Sequence, residues 1–580
     1  MNTDICNWGV CFAPLNGMGY VKIFGFAEFL AALALLVVLF TITDVRSKFR
    51  TAIVPGDLYR TTFVVMIAVG FLTLMSEVWV AQKWYVPQVY WLSGVTWQAL
   101  LGVIFFGTFG TWMYYAFIRP PVFYRRNAER YAQTLFSYVV KANDDDLKVL
   151  AHEIGRSAIN LVRWTQPVID SFQAARSEGK PPANRNPTPR QYAQDLLLLI
   201  ANRKLCRHIV QSSPVTVAAF LEAANHEDGA WAPIGQFATN ISIEAFANKE
   251  SFIFQEEEQY DSGMIGHLKP VTLALYGRYK LMERLAVRGP FPFDIPYDDL
   301  NAWDGAQWEA YCRLALLLFT DYLKVTGGRA DSQALRQVFR NVSLERSFAT
   351  YDGDNVYESS SHKRLTAAVR FITEAVALID KHGAPPDSPR PRETYRRDSV
   401  YDHLAHLMFD ACVHVACIKR KDFTSWSIQY SAVWSQFFGH EDSTTWRIVR
   451  KRLLHLLAAE VCTVPKFPHF VNVPLLGYCA NVMGLSPTAK TANHSRDWRS
   501  LHRLVLWLIR KHYSALLATS GRLAEAMLVG KLSFDPASFS VVKTYEQNLS
   551  DVAETDSLAI DGAFRKTSVR RLTRKRPGSP

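Results

Sequence analysis

A chain of 580 residues with 49% apolar content and a mean hydropathy of −0.03 is too polar to be a transporter filled with spans. Its formal charge of +12 is concentrated at the end of the chain, where Arg565, Lys566, Arg570, Arg571, Arg574, Lys575 and Arg576 occur with no acid among them. The rest of the chain is close to neutral, which argues against a surface coated overall with nucleic acid.

Residues 1–22 form a short segment rich in Gly, Asn and aromatic residues, expected to lie outside the cell as a cap. The start has no basic n-region, so no cleavable leader is expected. Cys6 and Cys11 flank a tight turn in this segment, and their spacing fits a disulfide in an oxidising exterior or two free thiols.

Residues 23–121 carry three apolar runs, Ile23–Thr43, Thr62–Ala81 and Val95–Ile118, each close to the roughly 20 residues that a helix needs to cross a bilayer. Arg46, Lys48, Arg50 and Arg60 lie between the first two runs, and Arg119, Arg125, Arg126 and Arg130 follow the third. The opposite flanks have only Lys22 and Lys83. Positive charge collects on the cytoplasmic side, so the expected topology is multi-pass in a plasma membrane, a bacterial inner membrane by preference, with the N-terminus outside and the C-terminus in the cytoplasm. Aromatic belts agree: Trp79, Trp84, Tyr85, Tyr90, Trp91 and Trp97 at the outer boundary, Trp112, Tyr114 and Tyr115 at the inner one.

Beyond Arg119-Pro120-Pro121, about 460 residues remain for cytosolic domains. Helical periodicity dominates them, with stretches at Gln191–Val210, Val271–Val287, Trp308–Val325, Lys363–Ile379, Ser399–Cys417, Thr444–Cys462 and Trp498–Ala518. Ser251–Phe254 is the best strand candidate. Pro-rich segments divide the chain into a helical domain at 122–381, a linker at 382–397, a second helical domain at 398–535 and a basic tail without a fold of its own at 536–580. The expected architecture is therefore mainly α, with three transmembrane helices followed by a large cytosolic helical region.

Four features bear on function. Glu28 and Glu77 are carboxylates inside apolar runs, at equal depth if the runs are antiparallel, and intramembrane ionisable groups mark pathways or polar contacts. His403, His406, Asp410, His414 and Cys417 fall on one helical stripe at steps of three and four, with side-chain types that suit zinc or iron; the alternative is a polar seam between packed helices. Acidic clusters at Glu256, Glu257, Glu258 and Asp261, and at Asp352, Asp354 and Glu358, read as solvated faces. The basic faces on Thr444–Cys462 and Trp498–Ala518 read as solvated faces of bundle helices, with docking to anionic lipid the alternative; the charged tail suits anionic lipid, with nucleic acid as its competing partner.

The chain has no P-loop, dinucleotide fingerprint, nucleophile elbow, HExxH or paired CxxC, and no cofactor is expected. The first functional expectation is a membrane-tethered interaction or signalling module that binds an unidentified protein. The second is an oligomeric effector or ion-conducting protein, joined through small residues of its spans. The third is a metal-dependent enzyme using the histidine stripe.

Overall fold

The computed structural model describes residues 5–7, 10–14, 23–42, 44–87, 93–141, 143–165, 187–226, 231–261, 270–344, 351, 356–383, 387, 399–420, 422–439, 443–486, 495–545 and 555–561. The protein is mainly helical and divides into two compact units, Met1–Leu275 with Arg288–Pro292, and Tyr276–Val287 with Phe293–Pro580.

The first unit begins with a hairpin of β1 (Ile5–Asn7) and β2 (Val10–Pro14), and β2 pairs antiparallel with β3 (Tyr85–Pro87). Three apolar helices follow from the composition of the N-terminal runs: α1 (Phe26–Ile42), α3 (Leu58–Ala81) and α4 (Gly94–Met113). Asp57 caps α3 by accepting from the Arg60 amide at 3.2 Å, and Ser93 caps α4 through the Thr96 amide at 3.2 Å. Pro120-Pro121 cannot extend a helix, and α4 ends in a π-helical turn, Tyr114–Ile118, closed by Arg119 donating to the Tyr114 carbonyl at 2.8 Å. Phe24, Phe29, Leu36, Met66, Val69, Leu101 and Phe105 form the core of this cluster. Gly70 is required there, because a Cβ would lie 2.6 Å from the Phe29 ring.

Among the described residues two helices, rather than the three expected, are long and apolar enough to cross a membrane: α3 with 24 residues and α4 with its π turn, 25 residues together. α1 has 17 residues, about 26 Å of helix. It starts late because Ile23 and Gly25 give their amides to the side chains of Gln98 and Glu28 instead of to helical carbonyls.

Between α1 and α3 lies α2 (Val45–Ala52), an amphipathic helix whose Phe49 and Arg50 are buried. Phe49 meets Tyr131 and Tyr138 edge-on, at 5.7 and 5.9 Å between centroids. Both tyrosines belong to α5 (Ala128–Lys141). Arg50 pairs with Glu153 of α6 (Asp144–Gly155). The Asn127 amide also donates to the Ile53 and Val122 carbonyls, at 3.0 Å each. The apolar cluster is thus fastened to a helical bundle that continues through α7 (Ala158–Trp164), α8 (Pro189–Ile200), α9 (Arg203–Ser212), α10 (Pro214–His226) and α11 (Trp231–Ala247). Ser251–Phe254 opens the helix α12 (Phe252–Asp261) and is not a strand. Short apolar runs fit either period, and here the Ser251 carbonyl accepts from the Phe254 and Gln255 amides at 3.1 Å each and starts the helix, while its hydroxyl donates back to the Ala245 carbonyl at 2.6 Å.

The second unit is built on α13 (Gly305–Thr326), which packs along α15 (Ser360–His382), with α14 (Gln333–Val342) beside them. Almost wholly buried, α16 (Val400–Ala416) packs on α17 (Thr444–Val461) and α18 (Asn472–Met483). α19 (Arg496–Thr519) and α20 (Gly521–Met527) close the bundle. α15 packs on both α16 and α17, so the helices on either side of the Pro-rich segment 382–397 share one unit. The compact units part instead near 276–293, inside the region read from sequence as a single domain. A further correction concerns 536–580. β4 (Leu532–Asp535), β5 (Ser540–Thr544) and β6 (Thr555–Ala559) form an antiparallel sheet, in which Val541 and Leu558 are register partners and both buried. The basic residues Arg565–Arg576 lie outside the described residues.

Candidate functional site

The two acidic residues of the apolar runs meet at the start of α1. Glu28 Oε2 accepts from the Gly25 amide at 3.0 Å, and Glu77 Oε1, from α3, accepts from the Phe26 amide at 2.9 Å. Gln98 Oε1, from α4, accepts from the Ile23 amide at 3.1 Å. A helix leaves its first amides unpaired and carries partial positive charge at that end, so two carboxylates and an amide oxygen are the groups this end requires. The arrangement can fix the entry angle of α1 against α3 and α4. Gln98 was not singled out from the sequence, although an amide within the run VTWQALL is readable there as a polar contact.

Below this cap, α1 and α3 enclose an apolar groove of about 590 Å³, lined among others by Phe29, Leu33, Leu36, Thr62, Phe63 and Ile67. Around it the outward faces of α3 and α4 are apolar as well: Phe63, Val64, Ile67, Phe71, Val103, Phe106 and Ile118 are each more than half exposed.

The stripe on α16 does not gather into a metal centre. His403 stacks on Phe339 with centroids 5.0 Å apart, and His406 Nδ1 is 2.9 Å from the Asp402 carbonyl. Asp410 accepts from the Ser343 hydroxyl at 2.6 Å, and His414 Nε2 is 3.0 Å from the Tyr351 hydroxyl. Cys417 is the C-terminal cap residue of the helix. Each group faces a different neighbour, and among the described residues no three His, Cys, Asp or Glu side chains come together as a metal would need. The stripe is the polar seam of a buried helix. Two thiols of that core are held in the protonated form. Burial pushes the Cys412 thiol up to about 12 and raises Cys479 further.

The remaining sequence candidates are dispersed. Glu256 accepts from the Val271 and Thr272 amides at 3.3 and 3.0 Å, while Glu257, Glu258 and Asp261 continue the same helix. Glu358 closes a short 3-10 turn, and Asp352 and Asp354 lie outside the described residues. Cys6 and Cys11 are register partners in the β1–β2 pair. On α19 the apolar stripe of Leu501, Val505 and Leu508 is buried, leaving Arg499, Arg503 and Arg510 at the surface.

A buried polar cluster in the second unit escaped the sequence reading. Gln429 lies in a π-helical segment, Ser427–Trp434, and donates to the Val415 carbonyl at 3.1 Å while accepting from Asn481 at 2.9 Å. Lys543 donates to the Asn481 carbonyl at 2.6 Å, with the Trp426 and Tyr545 rings 4.7 and 4.3 Å from its ammonium. Strand residues such as Lys543 give no periodic signal of burial among aromatic rings. No protein-family model matches the chain, and neither a curated protein nor a solved structure does so.

Proposed function

We propose that the protein is a membrane-tethered helical module, in which α1, α3 and α4 seat the chain in a cytoplasmic membrane and the helices beyond Pro120 bind a protein partner in the cytosol. The single observation that carries this reading is the outward apolar surface of α3 and α4. Phe63, Ile67, Phe71, Val103, Phe106 and Ile118 would cost several kcal/mol in contact with water and none in contact with lipid tails. α1 joins the bundle as its third helix, at the short end of the spanning range. Arg46, Lys48, Arg60, Arg125 and Arg126 flank the same boundary and favour its placement on the cytosolic side.

A tether fits the geometry better than an ion path. The carboxylates that an ion path would use, Glu28 and Glu77, accept the first amides of α1. Alkaline extraction and topology reporters test the membrane part: the protein should stay with membranes, with an external reporter active at Lys83 and inactive after Arg130. Release into the supernatant, or an active external reporter after Arg130, overturns it. Affinity purification of the full chain in mild detergent tests the partner, which should be lost when 399–545 is removed.

A further inference from the structure

One polar atom of the groove between α1 and α3 has no hydrogen-bond partner among the described residues. Thr62 lines the groove with only 3% of its surface exposed, and among the described residues its Oγ1 has no hydrogen-bond partner. Threonines in apolar helices usually bond a carbonyl of their own helix. Thr73, Thr108 and Thr111 do so here, reaching the Gly70, Ile104 and Gly107 carbonyls at 2.7–2.8 Å. The Thr62 hydroxyl is therefore left for a ligand in the groove, one that is apolar along most of its length and offers an oxygen at the Thr62 end.

Positive charge gathers at that same end. Arg60 is exposed in the first turn of α3, and Arg130 donates to the carbonyl of Gly56, just before the helix. From Thr62 to Leu74, the lining runs about 18 Å along α3, comparable with the roughly 15 Å depth of one leaflet.

We infer that the groove holds one acyl chain of an anionic phospholipid, whose ester carbonyl accepts from Thr62 and whose phosphate faces Arg60 and Arg130. The inference rests on the membrane reading above. In that reading Thr62 lies just below the inner boundary, where ester groups sit.

The test uses the full chain reconstituted into vesicles of equal phosphatidylglycerol and phosphatidylcholine, floated, then extracted in mild detergent and analysed for retained lipid by mass spectrometry. The parent should retain phosphatidylglycerol in preference to phosphatidylcholine. Ile67→Trp, at an exposed position on the groove wall, should lower retention about tenfold, and Thr62→Val about fivefold, while both variants still float. Equal retention of the two lipids, or unchanged retention in Ile67→Trp, overturns the inference, as does a second copy of the chain released in place of lipid. Protein that fails to float overturns the membrane reading as well. Protein that floats but retains no phosphatidylglycerol overturns the lipid site alone.

Discussion

Arg50 and Glu153 form a two-pronged ion pair, Nε to Oε2 at 2.8 Å and Nη2 to Oε1 at 2.6 Å, with side chains only 7% and 3% exposed. The third guanidinium nitrogen, Nη1, donates to the Ala116 carbonyl at 2.9 Å, within the π turn that ends α4. One side chain thus joins the linker helix α2 to the end of an apolar helix and to the helical bundle that follows. Removing Glu153 would strand a buried guanidinium, so Glu153→Ala should cost about 3 kcal/mol or more. Arg46→Ala, at a half-exposed partner of the same carboxylate, should cost under about 1 kcal/mol. Thermal unfolding of the two variants in the same detergent checks this, and equal losses would refute the clamp.

At the start of α1, the required property of Glu77 is an acceptor oxygen. Glu77→Gln keeps one for the Phe26 amide, whereas Glu77→Leu leaves that amide unpaired at about 1–3 kcal/mol. Hydrogen exchange at Phe26 should stay slow in the first variant and speed up in the second. If the carboxylate instead carried ions, the glutamine variant would be the one to abolish dissipation of membrane potential by the expressed protein.

Much of the helical architecture was legible because burial imposes the 3.6-residue period. Trp308–Val325 lies within Gly305–Thr326, Lys363–Ile379 within Ser360–His382, and Thr444–Cys462 overlies Thr444–Val461. Boundaries set by caps were harder. The run Gln191–Val210 is two helices, because Asn202 turns its side chain onto the Lys204 amide and starts a new one. The β5–β6 pair was hidden in a polar stretch whose buried face carries Lys543 beside Val541 and Leu558. Ligand types on the α16 stripe were visible. Their separate partners, Phe339, Ser343 and Tyr351, come from distant segments and leave no local trace.

Close helix packing in the second unit depends on Gly477. A Cβ there would run into the Met527 carbonyl oxygen, a backbone atom that cannot swing aside. Gly477→Ala should force α18 away from α20 and destabilise the unit by about 2 kcal/mol or more, against the small gain in helix propensity that alanine normally brings. Gly107→Ala, where nothing lies within 4 Å of the added carbon, is the matched control and should be neutral or slightly stabilising. Limited proteolysis of 399–545 separates the two outcomes.

The final prediction concerns pH. His208 lies on α9 with little exposure, and burial holds it below the ordinary value of 6.5 against the opposing pull of Asp144. Burial also lowers His362, and burial with the neighbouring Lys511 lowers His512. In each case the unfolded chain takes up a proton more readily than the folded one. Stability attributable to these residues is thus fully present above about 6.5 and is lost as pH falls below that value toward the folded-state pKa. Denaturant midpoints should decline between pH 7 and pH 5, and the decline should be shallower in His208→Gln combined with His362→Gln. Greater stability at pH 5 than at pH 7, or an unchanged slope in the double variant, would show that other groups govern the response.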